Sequence, residues 1–170
     1  ARTHALTRRW APWSWRRRVA QVASVALAGM RDGVTLVNVH LSAGDAASRR
    51  AAEADTVLGL VASRGRPAIV AGDLNDHPGS VVHTRLTEGG LRDTWAALRG
   101  DEAGATNWRG WVPATTRPPT QRIDYVLAAD DLQPVAAALP HAGDPDFAHF
   151  AAISDHLPLA VTLETVAPDD

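Results

Sequence analysis

Four polar clusters stand at the ends of segments whose apolar patterning reads as β-strand: Asn38 with His40, Asp73 with Asn75, Arg122 with Asp124, and Ser154 with Asp155 and His156. Strand ends on a rigid frame can present such side chains into one crevice, whereas the same residues scattered along helices would mostly meet water. Taken singly, each cluster has a plain structural explanation. Gly, Asp and Asn suit turn geometry, so the GDLN run over 72–75 reads equally as a turn. Asp155 with His156 reads also as a loop pair, and His40 as a satisfied core histidine. Asp124 is harder to dismiss, because apolar strand-forming neighbours surround it, and a carboxylate buried there needs a partner such as His or Arg. The chain has no cysteine, so any metal must be held by Asp, Glu, Asn or His, which points to a hard, oxygen-preferring cation.

The elements that must position these residues are legible from periodicity. Residues 18–28 alternate as a strand, residues 31–33 supply a turn, and 34–41 (VTLVNVHL) form a second strand ending near His40, giving a hairpin. Ala47, Ala51, Ala54, Leu58 and Val61 recur at helical spacing opposite Arg49, Arg50, Glu53 and Asp55, which predicts an amphipathic helix over about 46–63. The short apolar run 68–71 (AIVA) reads as a strand buried on both faces and leads directly into GDLND. Residues 80–86 suggest a short helix, 93–98 a turn, and 100–121, rich in Gly, Thr and Pro, an irregular loop. Strands are expected at 123–128 and 133–139, a second loop at 140–153, and a last strand at 157–164 with Pro158 near its start.

With 170 residues, 45% hydrophobic and 21% charged, the composition is that of a folded globular chain, neither disordered nor fibrous. No run of about 18 apolar residues is present, so no transmembrane helix is expected. The net charge is −2, all basic side chains are arginine, and Arg2, Arg8, Arg9, Arg16, Arg17, Arg18 and Arg31 precede the first acidic residue. That segment either attracts a polyanion or carries arginines on a solvated face. The sequence opens on Ala1, not methionine, and is expected to continue a longer polypeptide.

NVHL at 38–41, AGDLN at 71–75, RIDYVL at 122–127 and SDHLPL at 154–159 resemble, in order, successive motifs of the endonuclease/exonuclease/phosphatase family. That family includes nucleases, sphingomyelinases and inositol phosphate phosphatases. The resemblance implies an α/β (α+β) fold, a two-sheet β-sandwich flanked by helices, present here as a single partial domain over 1–170. It implies a divalent-metal-dependent phosphoesterase, most simply a phosphodiesterase, with a phosphomonoesterase or a non-catalytic nucleic-acid-binding fragment as alternatives. His156 would be the general base that takes a proton from water, with Asp124 holding its imidazole. Asp73 would orient that water or assist the leaving oxygen, Asn75 would contact a non-bridging oxygen, and His40 would stabilise developing charge. Asp155, with Asp73 and Asn75, would hold Mg²⁺, with Mn²⁺ as a substitute.

The early asparagine strand and the metal-binding glutamate that family members carry upstream of these motifs have no counterpart here. Metal binding is therefore expected to be weak, and turnover low, in this chain alone. Arg50 and Glu53 resemble a polar pair that commonly follows the histidine strand, but surface pairing at i,i+3 explains them equally, and they stay outside the expected site. His77 is expected to be a loop residue, and Trp108, Trp111, Arg109 and Arg117 either a stacking rim or a cover over the core. The substrate is expected to be a phosphate ester, from a nucleic acid or a phospholipid headgroup, and the chain a monomer.

Overall fold

The computed structural model describes residues 1–6, 18–27, 30, 32–65, 67–108, 117–141 and 143–166. The expected hairpin is present: β2 (Val19–Val25) pairs antiparallel with β3 (Val34–His40), placing Gln21 opposite Asn38. A further strand, β1 (Arg2–Ala5), adds to its outer edge. Beyond the hairpin, α1 (Ala47–Arg64) crosses over and returns the chain as β4 (Ala68–Asp73), parallel to β3. The helix buries Ala51, Ala54 and Val57 against the sheet, as its apolar spacing requires.

After α2 (Val81–Glu88) come β5 (Leu91–Asp93), α3 (Thr94–Arg99), β6 (Asp124–Ala129), β7 (Leu132–Ala138), α4 (Phe147–Ile153) and β8 (Ala160–Thr165). The larger sheet runs β1-β2-β3-β4-β6-β5, and β7 pairs with β8 in a second, two-stranded sheet. The main core lies between the larger sheet and helices α1 and α2, and includes Val22, Val37, Leu41, Val57, Val70, Leu86, Tyr125 and Leu127. Pro134 is tolerated inside β7 because the register breaks between it and Ala136.

Several expectations need correction. Residues 94–99 are helix, not turn: the Asp93 side chain caps the N-terminus by accepting from Ala96 N at 3.1 Å. The 140–153 loop contains α4, which buries Phe147 and Ala151 one turn apart, a signal too short for periodicity to reveal. The last strand starts at Ala160, so Pro158 lies before it. β4 continues through Gly72 and Asp73, so GDLND is not wholly a loop, and Ile69 and Ala71 are half-buried where full burial was expected. Gly72 sits at φ +130° against β3, where a Cβ would lie 2.0 Å from Val39 O, so only glycine fits. The helix predicted from periodicity forms, but Arg50 and Glu53 are not on its solvated face: they are 6% and 1% exposed. Arg31 and most of the early arginines lie outside the described residues, as do Arg109 and Trp111.

Candidate active site

Strand pairing sets three chemical side chains in one row. In the parallel β3–β4 ladder His40 stands opposite Asp73, and in the antiparallel β4–β6 ladder Asp73 stands opposite Asp124. Residues directly opposite across neighbouring strands share a face of the sheet. Their side chains therefore emerge together at one end of three adjacent strands, and His40 Nε2 approaches Asp73 Oδ2 at 3.5 Å.

His156 reaches this row from outside the sheet. It forms an isolated bridge with Asn107, and Leu157 N donates to Thr106 O at 2.7 Å, which ties the 154–157 segment to the 106–107 segment. His156 Nδ1 lies 2.7 Å from Asp124 Oδ2, and the same carboxylate oxygen accepts from Thr106 Oγ1 at 2.6 Å. Ligand atoms of Asp73, Asp124 and His156 all fall within 4.8 Å of one another. The imidazole thus faces the carboxylates, with Nδ1 committed to Asp124. Its Nε2 is the nitrogen left for a reacting molecule.

The electrostatics follow from this crowding. The hydrogen bond to Asp124 raises the His156 pKa above the usual histidine value, partly offset by burial and reinforced by the charges of Asp124, Asp73 and Asp155. Burial raises the Asp73 carboxyl, a bond from Asn75 N opposes it, and the negative charge of Asp124 adds to the rise. For His40, burial and the nearby Arg18 cation lower the pKa against the pull of Asp73. Two partly buried carboxylates on adjacent strands repel one another, an arrangement that a bound cation relieves.

Asn75 is held in the left-handed region at φ +52°, the only described non-glycine residue there. Its backbone N donates to Asp73 Oδ1 at 2.7 Å, and its Nδ2 donates to Leu41 O at 3.0 Å and Asp73 Oδ2 at 3.1 Å. The amide thus joins the ends of β3 and β4 beside the carboxylates. Asp155 is adjacent in sequence, yet its carboxylate is not in the 4.8 Å cluster; its backbone carbonyl accepts from Asn107 Nδ2 and Trp108 N. Of the remaining polar residues at strand ends, Asn38 turns to Gln21 and Ser154 Oγ accepts from His156 N. The Arg122 guanidinium points away from the cluster to grip Asp93.

Sequence reasoning missed four contributors. Thr106, fully buried, supplies the second hydrogen bond to Asp124 from inside a stretch read only as loop. Arg18 was counted among the early arginines, yet its charge is felt at His40. Arg50 and Glu53 staple the loop after β3: Glu53 accepts from Ser42 N and Oγ, while Arg50 donates to Ser42 O, Gly44 O and Asp76 Oδ2. Arg50 is paired with Asp76, and Glu53 is hydrogen-bonded through both carboxylate oxygens to Ser42, which is why they are buried where surface pairing was expected. The one available signal for them was their position just beyond the histidine strand. Trp108 packs edge-on against Phe147 with ring centroids 5.9 Å apart, the covering role. His77 is exposed and, among the described residues, its side chain pairs only with the neighbouring Asp76.

Comparison with known proteins bears on the family and the fold. Residues 4–156 match the Endonuclease/Exonuclease/phosphatase family. A Saccharomyces cerevisiae inositol phosphosphingolipids phospholipase C is 30% identical over 188 residues, spanning 84% of this chain and 37% of the yeast protein. An endonuclease/exonuclease/phosphatase from Beutenbergia cavernae is 27% identical with a TM-score of 0.65, covering 96% of this chain and 44% of its own. One from Bacteroides vulgatus, 19% identical, shares the fold at a TM-score of 0.75 over 97% of this chain and 64% of its own. The chain therefore spans well under half of the yeast protein's length and about two thirds or less of the two structures. On motif order, sheet arrangement and these matches, the chain belongs to the Endonuclease/Exonuclease/phosphatase family, whose members hydrolyse phosphoesters.

Proposed function

We propose that this chain carries the hydrolytic centre of a divalent-metal-dependent phosphodiesterase. The observation that carries this reading is the Asp124–His156 pair: a carboxylate bonded to Nδ1 at 2.7 Å beside a second carboxylate, Asp73, at the same sheet edge. With Nδ1–H given to Asp124, His156 Nε2 is the lone-pair nitrogen that takes a proton from attacking water. Asp124 fixes the tautomer and steadies the imidazolium that results, and Thr106 holds Asp124. Asp73 orients the water or assists the departing oxygen. Asn75 contacts a non-bridging oxygen, and His40 stabilises charge that develops on the phosphoryl group.

The donor set suits a hard cation: carboxylate oxygens, an amide and no thiolate, with Asp73 and Asp124 crowded enough to gain from a positive charge. Asp73 and Asn75 would hold Mg²⁺, or Mn²⁺ in its place, with Asp155, outside the close cluster, reaching the ion through water, and the ion would polarise a phosphoryl oxygen. The name of the yeast relative, a phospholipase C, favours a phosphodiester over a phosphomonoester.

The test is hydrolysis of bis(4-nitrophenyl) phosphate by EDTA-treated protein, with and without added Mg²⁺, alongside 4-nitrophenyl phosphate. Mg²⁺-dependent release from the diester, lost in His156→Ala, is the expected result. Diester hydrolysis that persists in His156→Ala, or that ignores Mg²⁺, refutes the reading.

A further inference from the structure

The left-handed backbone of Asn75, at φ +52°, is a conformation that a residue with a side chain keeps only where its surroundings impose it. Two constraints come from the strand ends on either side, through Asp73 and Leu41. The others act on the next residue, Asp76, and reach it from distant parts of the chain. Arg50 Nε donates to Asp76 Oδ2 at 3.0 Å, and Tyr125 Oη donates to Asp76 O at 3.0 Å. Arg50 belongs to α1 and Tyr125 follows Asp124 on β6, so two separate elements grip the turn.

The same guanidinium also holds the loop that leaves His40. Arg50 Nη1 donates to Ser42 O at 3.0 Å and to Gly44 O at 2.8 Å, so one side chain joins that loop to the turn carrying Asn75. Ser42 is fixed independently by Glu53, which accepts from its N at 2.8 Å and its Oγ at 2.7 Å. The loop therefore has an anchor without Arg50, and the bond to Asp76 adds a constraint that closing the loop does not require. A guanidinium carries its donors in a rigid planar fork, so it sets a spacing between the groups it binds. Its base is stiff as well, because Ala51, Ala54 and Val57 bury this part of α1 against the sheet.

We infer that Arg50, acting through Asp76, is a positioning residue for the hydrolytic centre: it holds Asn75 in its left-handed conformation and fixes its spacing from His40 across the phosphate. The inference rests on the phosphoesterase reading for what Asn75 and His40 contact. A displacement of about 1 Å at a reacting centre costs about 100-fold in rate even where the displaced group is chemically intact. Loss of the clamp is therefore read in kcat more than in KM.

Two variants of the full chain remove the clamp in different ways. Arg50→Lys keeps the charge and loses the fork, and the double variant Arg50→Met with Asp76→Leu replaces the ion pair by apolar side chains, leaving no buried charge unpaired. Val57→Ala, a buried position on the same helix, is the control that loosens packing and spares the clamp. With bis(4-nitrophenyl) phosphate and Mg²⁺, each clamp variant should lose about 10- to 100-fold in kcat with KM changed by less than about 3-fold. NMR should show the Asn75 side-chain amide displaced in both, and Val57→Ala should do neither at temperatures where it is folded. Near-wild-type kcat in either folded clamp variant, an unmoved Asn75 amide, or an equal kcat loss in Val57→Ala overturns the inference. If the wild type cleaves no diester, the phosphodiesterase reading fails by itself, and titration with inorganic phosphate in Mg²⁺ decides the clamp. Affinity about 5-fold weaker in the clamp variants than in Val57→Ala then upholds it, and equal affinity overturns it.

Discussion

Asp93, at the junction of β5 and α3, grips Arg122 just ahead of β6, and replacing it with asparagine isolates the value of one buried charge. Its carboxylate, 6% exposed, receives two bonds from Arg122, 8% exposed, one from His83 Nε2 at 2.9 Å, and one from Ala96 N at 3.1 Å. Burial alone would raise its pKa, but the bonds from His83, Arg122 and Ala96 outweigh it and hold the group at about 2, against 3.8 ordinarily. That gap corresponds to about 2 kcal/mol of stability. Because the folded pKa is depressed, this contribution is complete above pH 3.8 and is lost as pH falls toward 2. Asp93→Asn keeps an acceptor for the α3 cap but leaves the Arg122 guanidinium buried without a counter-charge, a defect of about 3–5 kcal/mol. Urea unfolding followed by tryptophan fluorescence should therefore show the variant about 3–5 kcal/mol less stable at pH 7. The gap between wild type and variant should narrow by about 2 kcal/mol between pH 5 and pH 2. A difference under about 1 kcal/mol at pH 7, or one that stays flat with pH, refutes the reasoning.

Other perturbations bear on the site directly. Asp124→Asn should cut diester turnover by about 10³ to 10⁴-fold through loss of the correct imidazole tautomer, an effect a stopped assay reads easily. In the wild type, the hydrogen bond that His156 donates to Asp124 raises the His156 pKa, and the base works only when neutral, so the rate should climb as pH passes above the usual histidine range. The same Asn variant should move that limb to lower pH, and an unmoved limb would exclude His156 as the titrating base. Thr106→Val removes a buried 2.6 Å bond to Asp124 and should destabilise the fold by about 1–3 kcal/mol in thermal melts, with activity falling too. Gly72→Ala places a Cβ against Val39 O and should leave little folded protein by circular dichroism; a variant as stable as wild type would contradict the β3–β4 packing.

What the sequence alone determined was local: alternation placed the β2–β3 hairpin, 3.6-residue spacing placed α1, and the order of NVHL, GDLN, RIDYVL and SDHL identified the family and nominated the candidate site residues. Short elements escaped, because α3 and α4 bury only one or two residues per turn and are held by a cap or by packing that no window reveals. Only the tertiary structure decided which polar groups share a partner. Register, a property of pairing between strands distant in sequence, put His40, Asp73 and Asp124 in one row. The 106–107 and 120–121 segments, which carry no periodic signal, brought Thr106 to Asp124 and tied in His156. Arg50 and Glu53 follow the same logic: helical spacing marks them as polar, and only the loop that folds over them, offering Ser42 and Gly44, makes burial favourable.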